Sequence, residues 1–163
     1  MSHPAPADVR AQAVEIIGDS IFYALGLKES LQEERKALEA QDMDALQAAV
    51  DGKSACVENL QALDTRRIDL CEKSGFTSAA EQMQELIDWC DEEDAINSRW
   101  EHLLVIAAES SALNMTNGAI IRLRQQQFES SLSVLRGVTP GTDTYGRNGS
   151  ASGQADRSSL AQA

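Results

Sequence analysis

Between Pro6 and Pro140 the chain runs through positions 7 to 139, 133 residues, without a proline. Proline interrupts helices more reliably than any other residue, because it lacks the N–H that the ladder needs and its ring strikes the preceding turn. A stretch of that length leaves long helices unopposed. The composition agrees, since aromatic residues make up only 4% of the chain while Ala, Leu, Gln and Glu are frequent. The expected class is therefore all-α, and 163 residues supply one domain with tails.

Hydrophobic spacing divides the stretch into helices at about 8–41, 43–73, 78–90 and 95–136, with a flexible leader over 1–7 and a flexible tail over 137–163. In the first helix Val14, Ile17, Ile21, Ala24, Lys28, Leu31, Arg35 and Leu38 step by three and four, the spacing of a coiled-coil seam. Two bases sit in that seam, and Lys28 and Arg35 are expected to lay their methylene stems over its edge. The second helix repeats the rhythm through Leu46, Val50, Lys53, Val57, Leu60, Asp64, Arg67 and Cys71. Asp8 and Asp42 read as N-caps, Gly75 as the residue just past a helix end, and Ser78 with Glu81 as a capping box. Connections this short make neighbouring helices antiparallel, so the architecture is a bundle of three long helices and one short acidic helix.

Charge and motif content remove several function classes. A formal charge of −12 argues against a nucleic-acid partner, which needs a clustered basic footprint. The longest apolar run, about 103–108, is far below the roughly 20 residues of a membrane span, the amphipathic helices are acidic, and Met1-Ser2-His3-Pro4 has no basic leader. A cytoplasmic protein without membrane insertion is expected. Cys56, Cys71 and Cys90 are widely spaced with no CxxC, so they read as reduced packing residues. Neither His3 nor His102 has a Glu three residues before it, which removes the di-iron bundle motif, and no phosphate-binding glycine loop, HExxH or nucleophile elbow occurs. No enzyme activity, metal or cofactor is expected. Recognition of another protein remains.

Two regions stand out for that role. Between Phe76 and Ala95 lie seven acids and no base, read as a solvated face and as favourable charge at the next helix start, or else as a docking patch for a basic partner. In the last helix the seam Ile96, Trp100, Leu103, Ala107 turns polar at Ser110, Asn114 and Asn117 before Ile121, Phe128 and Leu135 resume it. Polar seam residues either fix helix register or face a partner. Leu113, Ile120 and Val134 form one apolar row on the C-terminal half, and Ile121, Phe128, Leu132 and Leu135 form a second. One broad core face or a core face plus a docking face would both use them. The helix exceeds the first two by roughly 12 Å at 1.5 Å per residue, so an overhanging apolar end is expected.

Several landmarks carry a family resemblance. They are the hairpin with Leu46, Lys53, Leu60, Leu63 and Arg67 ahead of Gly75, then Asn114-Met115-Thr116-Asn117-Gly118, then Leu135-Arg136-Gly137, then Tyr145-Gly146-Arg147-Asn148-Gly149-Ser150. In this order the chain resembles, from about 8 to 150, the FlgN family of flagellar type III export chaperones. The resemblance implies a cytosolic chaperone, without ATP hydrolysis, that binds hook-associated proteins of the hook–filament junction. It would hold an aggregation-prone helical terminal segment, prevent premature assembly and deliver the cargo to the flagellar export apparatus. The apolar rows and the polar stretch supply the candidate cargo site on the C-terminal half of the last helix, at Leu113, Asn114, Asn117, Ile120, Ile121, Phe128, Leu132 and Leu135, and the resemblance favours it as the cargo site. The segment after that helix would contact the export gate through Tyr145. The extension Ser150 to Ala163 and the charge of Arg147 depart from the family pattern. The competing expectation is a self-associating coiled-coil adaptor or scaffold, which would consume the free face in its own oligomer.

Overall fold

The computed structural model describes residues 6–78 and 81–137. It contains four helices, α1 (Pro6–Ala40), α2 (Met43–Lys73), α3 (Gln82–Cys90) and α4 (Ala95–Leu135). The all-α bundle of three long helices and one short one is thus the observed architecture. Of the leader expected over 1–7, Pro6 and Ala7 belong to α1 instead and the rest lies outside the described residues; of the tail expected over 137–163 only Gly137 is described, so Tyr145 lies outside as well. Contacts cluster the chain into two units, Met1–Gln125 and Gln126–Ala163, and α4 runs through the boundary.

Local chemistry sets most of the helix ends. α1 begins at Pro6, two residues before the expected cap, because proline is well suited to a first helical position whose N–H would be unpaired anyway. Asp8 lies in the first turn, where a negative charge favours the helix dipole. At the other end Gln41 takes a left-handed φ of 59°, while its N–H reaches Leu38 O and that of Asp42 reaches Ala37 O. Those two bonds close a Schellman turn on a residue that is not glycine. Asp42 then caps α2 as expected, its carboxylate accepting from Ala45 N at 3.0 Å. α2 ends in a second Schellman turn, Phe76 N to Cys71 O and Gly75 N to Glu72 O, with Gly75 supplying the φ of 93°.

The capping box at Ser78 and Glu81 does not form. Helix α3 starts at Gln82, and the Glu81 side chain makes no cap hydrogen bond. Instead the Ser78 carbonyl accepts from Glu81 N and Gln82 N. Asp91 does more than expected, serving two helices at once. Its N–H closes the end of α3 on Ile87 O, and its carboxylate accepts from Ile96 N and Asn97 N, both at 2.9 Å, at the start of α4. The other acids of this stretch, Glu81, Glu85, Asp88, Glu92, Glu93 and Asp94, are exposed.

The core lies where α1 begins, α2 ends and α4 begins, all gathered on α3. Val9, Ala13, Ile16 and Ile17 meet Leu70 and Cys71 there, with Met83, Leu86, Ile87 and Cys90 of α3 and Ile96 of α4. Toward the hairpin turn, α1 and α2 approach closely. A Cβ placed on Gly26 would stand 3.1 Å from the Cys56 sulfur, a tight contact that would require that side chain to give by a few tenths of an ångström. Helix α4 joins this core through Ile96, with Trp100 packed against it.

Candidate functional site

Beyond the core, α4 is attached to the hairpin by polar contacts as well as apolar ones. Glu34 is 2% exposed, and its carboxylate accepts from Lys53 Nζ of α2 at 2.7 Å and from Asn117 Nδ2 of α4 at 2.8 Å. The same amide nitrogen donates to Leu31 O at 2.9 Å. One carboxylate therefore joins three helices, each of its oxygens taken by a different partner, which is the condition for keeping a charge buried. Farther along, Lys28 meets Glu109 at 2.6 Å and the Arg67 guanidinium lies over the Trp100 ring at 5.8 Å.

This arrangement corrects the α1 seam. Arg35 was expected in it, but it pairs with Glu39 on the outside, and Glu34 takes the inner position. Helical periodicity allows either neighbour, and the partners Lys53 and Asn117 select the carboxylate. Lys28 does snorkel as expected, half-buried with its charge on Glu109.

A groove of about 810 Å³ opens along α4. Its floor is α1, with Ala24, Leu27 and Leu31. One wall is α2, with Val57, Leu60 and Leu63, and the other is α4, with Trp100, Leu103, Leu104 and Ala107. The seam expected for α4 is split by this geometry. Ile96 and Asn117 are buried away from the groove, Ser110 is buried in its wall, and Trp100, Leu103, Ala107 and Asn114 line it.

The candidate cargo residues separate into distinct environments. Asn117 is fully buried and spent inside the bundle, so the structure places it as the anchor of α4 and not on a free surface. Asn114 is exposed at the groove edge, and Leu113, Ile120 and Ile121 are half-buried. Beyond Gln125, Leu132 is half-buried, whereas Phe128, Val134 and Leu135 are 65%, 67% and 82% exposed. The groove residues of α2 were not anticipated as a site. Their only mark in the sequence is the pair of bases, Lys53 and Arg67, set in an otherwise apolar seam.

The side chains offer recognition and no evident bond-making chemistry. Burial pushes the Cys71 and Cys90 thiols up from their ordinary value of 9.0, the wrong direction for a nucleophile. Among the described residues no group of three His, Cys, Asp or Glu is arranged to hold a metal ion. No described helix is long and apolar enough to cross a membrane.

Residues 15–153 match the sequence profile of the FlgN protein family, which spans most of the chain. The chain belongs to the FlgN family. FlgN proteins are cytoplasmic, non-enzymatic flagellar export chaperones for hook-associated proteins, so membership implies that this FlgN-family chain binds hook-associated proteins. Comparisons with curated proteins and with solved structures found no match.

Proposed function

We propose that this FlgN-family chain masks the helical terminal segment of a hook-associated protein on the last turns of α4, and that Tyr145 in the tail presents the loaded complex to the export apparatus. The observation that carries the reading is the exposure of Phe128, Val134 and Leu135. Large apolar side chains left in water on a helix are the ordinary substrate for helix-to-helix packing, at about 25 cal/mol per Å² removed from water. Phe128, Leu132 and Leu135 make the primary contact, and Leu113, Ile120 and Ile121 keep part of their surface for the bundle. Asn117 orients α4 without touching cargo. The mechanism is masking: a covered amphipathic helix can no longer pair with another copy of the cargo.

Replacing Phe128 and Leu132 together by Asp is expected to abolish capture of purified hook-associated proteins while far-UV circular dichroism stays unchanged. Loss of helicity in that variant would make the two residues core and refute the assignment. Tyr145→Ala is expected to keep cargo affinity and lower secretion of the cargo; loss of affinity would refute the tail as an address. A chain locked in a stable homo-oligomer that captures no cargo would return the scaffold reading.

A further inference from the structure

The groove described above lies wholly within the first unit, and none of its lining residues is among Phe128, Leu132 and Leu135. Its walls run from Lys53 to Arg67 on α2 and from Trp100 to Asn114 on α4. Each span is about 21 Å at 1.5 Å per residue, the length of a helical segment of about 14 residues. The apolar side chains of α2 and α4 along these walls line open space.

Two features say what would fill it. The first is charge. Along the groove Lys53 is answered by Glu34, Lys28 by Glu109, and Arg67 by Asp64 of its own helix. Glu58 makes no ion pair among the described residues, so the unmatched charge on the groove is a carboxylate, in a chain whose formal charge is −12. The second is Ser110, which lines the groove at 4% exposure with a hydroxyl that has no hydrogen-bond partner. A buried hydroxyl left without a partner is costly and calls for one.

We propose that this groove binds a second helical segment of the same cargo, about 14 residues long. That segment is amphipathic, with an apolar stripe seated between α2 and α4, a Lys or Arg on its flank opposite Glu58, and a polar group that meets the Ser110 hydroxyl. The proposal rests on the masking function put forward above and adds to it a second contact and its chemistry. Cargo is then held at two places, and the charge opposite Glu58 sets the orientation of the helix in the groove.

Trp100 in the groove wall and Trp89, which is not among the groove residues, are the two tryptophans of the chain and make the test direct. The full chain, labelled with fluorotryptophan, is titrated with purified hook-associated proteins and followed by fluorine NMR, with light scattering for mass. Formation of the complex should shift the Trp100 resonance and leave that of Trp89 in place. Val57→Arg and Glu58→Lys, both at exposed positions, should each weaken binding about tenfold or more, and the Glu58→Lys loss should shrink at high salt. A one-to-one complex with an unmoved Trp100 resonance and wild-type affinity in both variants would overturn the groove and leave the masking function standing. No complex at all would overturn both. A Trp100 shift without cargo that grows with concentration alongside a doubled mass would assign the groove to a second copy. A shift on deletion of residues 138–163 would assign it to the chain's own tail. Either result refutes the proposal.

Discussion

Asn117 is the residue on which the placement of α4 can be tested most sharply. Its amide nitrogen gives two hydrogen bonds, one to the Leu31 carbonyl and one to the Glu34 carboxylate, and the side chain is fully buried. Truncation in Asn117→Ala removes about 1 kcal/mol for the neutral bond and about 2 kcal/mol for the bond to a charged group. Against this, the Asn117 carbonyl oxygen has no partner, so its removal returns about 1 kcal/mol of desolvation cost. Glu34 keeps Lys53 on its other oxygen and is not orphaned. The net expectation is a loss of about 2 kcal/mol. Asn117→Asp is expected to lose more, about 3–5 kcal/mol, because it sets a second carboxylate against Glu34 in a buried place. Urea unfolding followed by circular dichroism measures both, and an unchanged denaturant slope would confirm that stability and not compactness was altered. The reasoning is refuted if Asn117→Ala unfolds within about 0.5 kcal/mol of wild type yet binds cargo poorly, for Asn117 would then be a contact residue.

Three further outcomes follow from features of the fold. Gln41→Gly relieves a left-handed backbone on a side-chain-bearing residue and should raise stability by about 0.5–1 kcal/mol after the extra freedom of glycine in the unfolded chain; a lower thermal midpoint would contradict the Schellman assignment. Ser110→Ala removes an unpartnered buried hydroxyl, so the free chain should become more stable by about 1 kcal/mol while cargo binding weakens, readable by unfolding and titration of one preparation. Native alkylation should label half-buried Cys56 before buried Cys71 and Cys90, as mass spectrometry of peptides would report. Since burial raises the Cys71 and Cys90 thiols above their unfolded value, their share of stability is intact below about pH 9.0 and is lost as pH rises through the folded values. Stability that increases above that pH would contradict the burial.

What could be read from the sequence was local or periodic. Asp42 and Gly75 announce their helix ends because a cap depends on only a few neighbouring residues, and both act as expected. Ser78 and Glu81 carry the same kind of signal, but the turn through the Ser78 carbonyl delays the helix to Gln82. The choice of Glu34 over Arg35 was hidden because it depends on Lys53 and Asn117, one 19 and the other 83 residues away. The polar stretch at Ser110, Asn114 and Asn117 was visible as an anomaly, yet its three members ended in three roles: an unpartnered wall residue, a groove edge and an anchor. A groove depends on how far apart two helices stand, and no pattern along either helix records that distance. The family was legible in the order of its short motifs, a matter of similarity and not of packing.

The close approach at Gly26 offers a way to seal the hairpin. A Cβ at that position would stand 3.1 Å from the Cys56 sulfur, within the reach that a bonded cysteine pair requires. Gly26→Cys should therefore oxidise to an intramolecular crosslink between α1 and α2, closing a loop of about 30 residues and limiting the unfolded chain by about 3–4 kcal/mol in the entropic account. The crosslink would tie α1 to α2 and leave α4 outside the sealed loop. Cargo binding that survives oxidation would then show that the hairpin need not open between these two helices for cargo to be held.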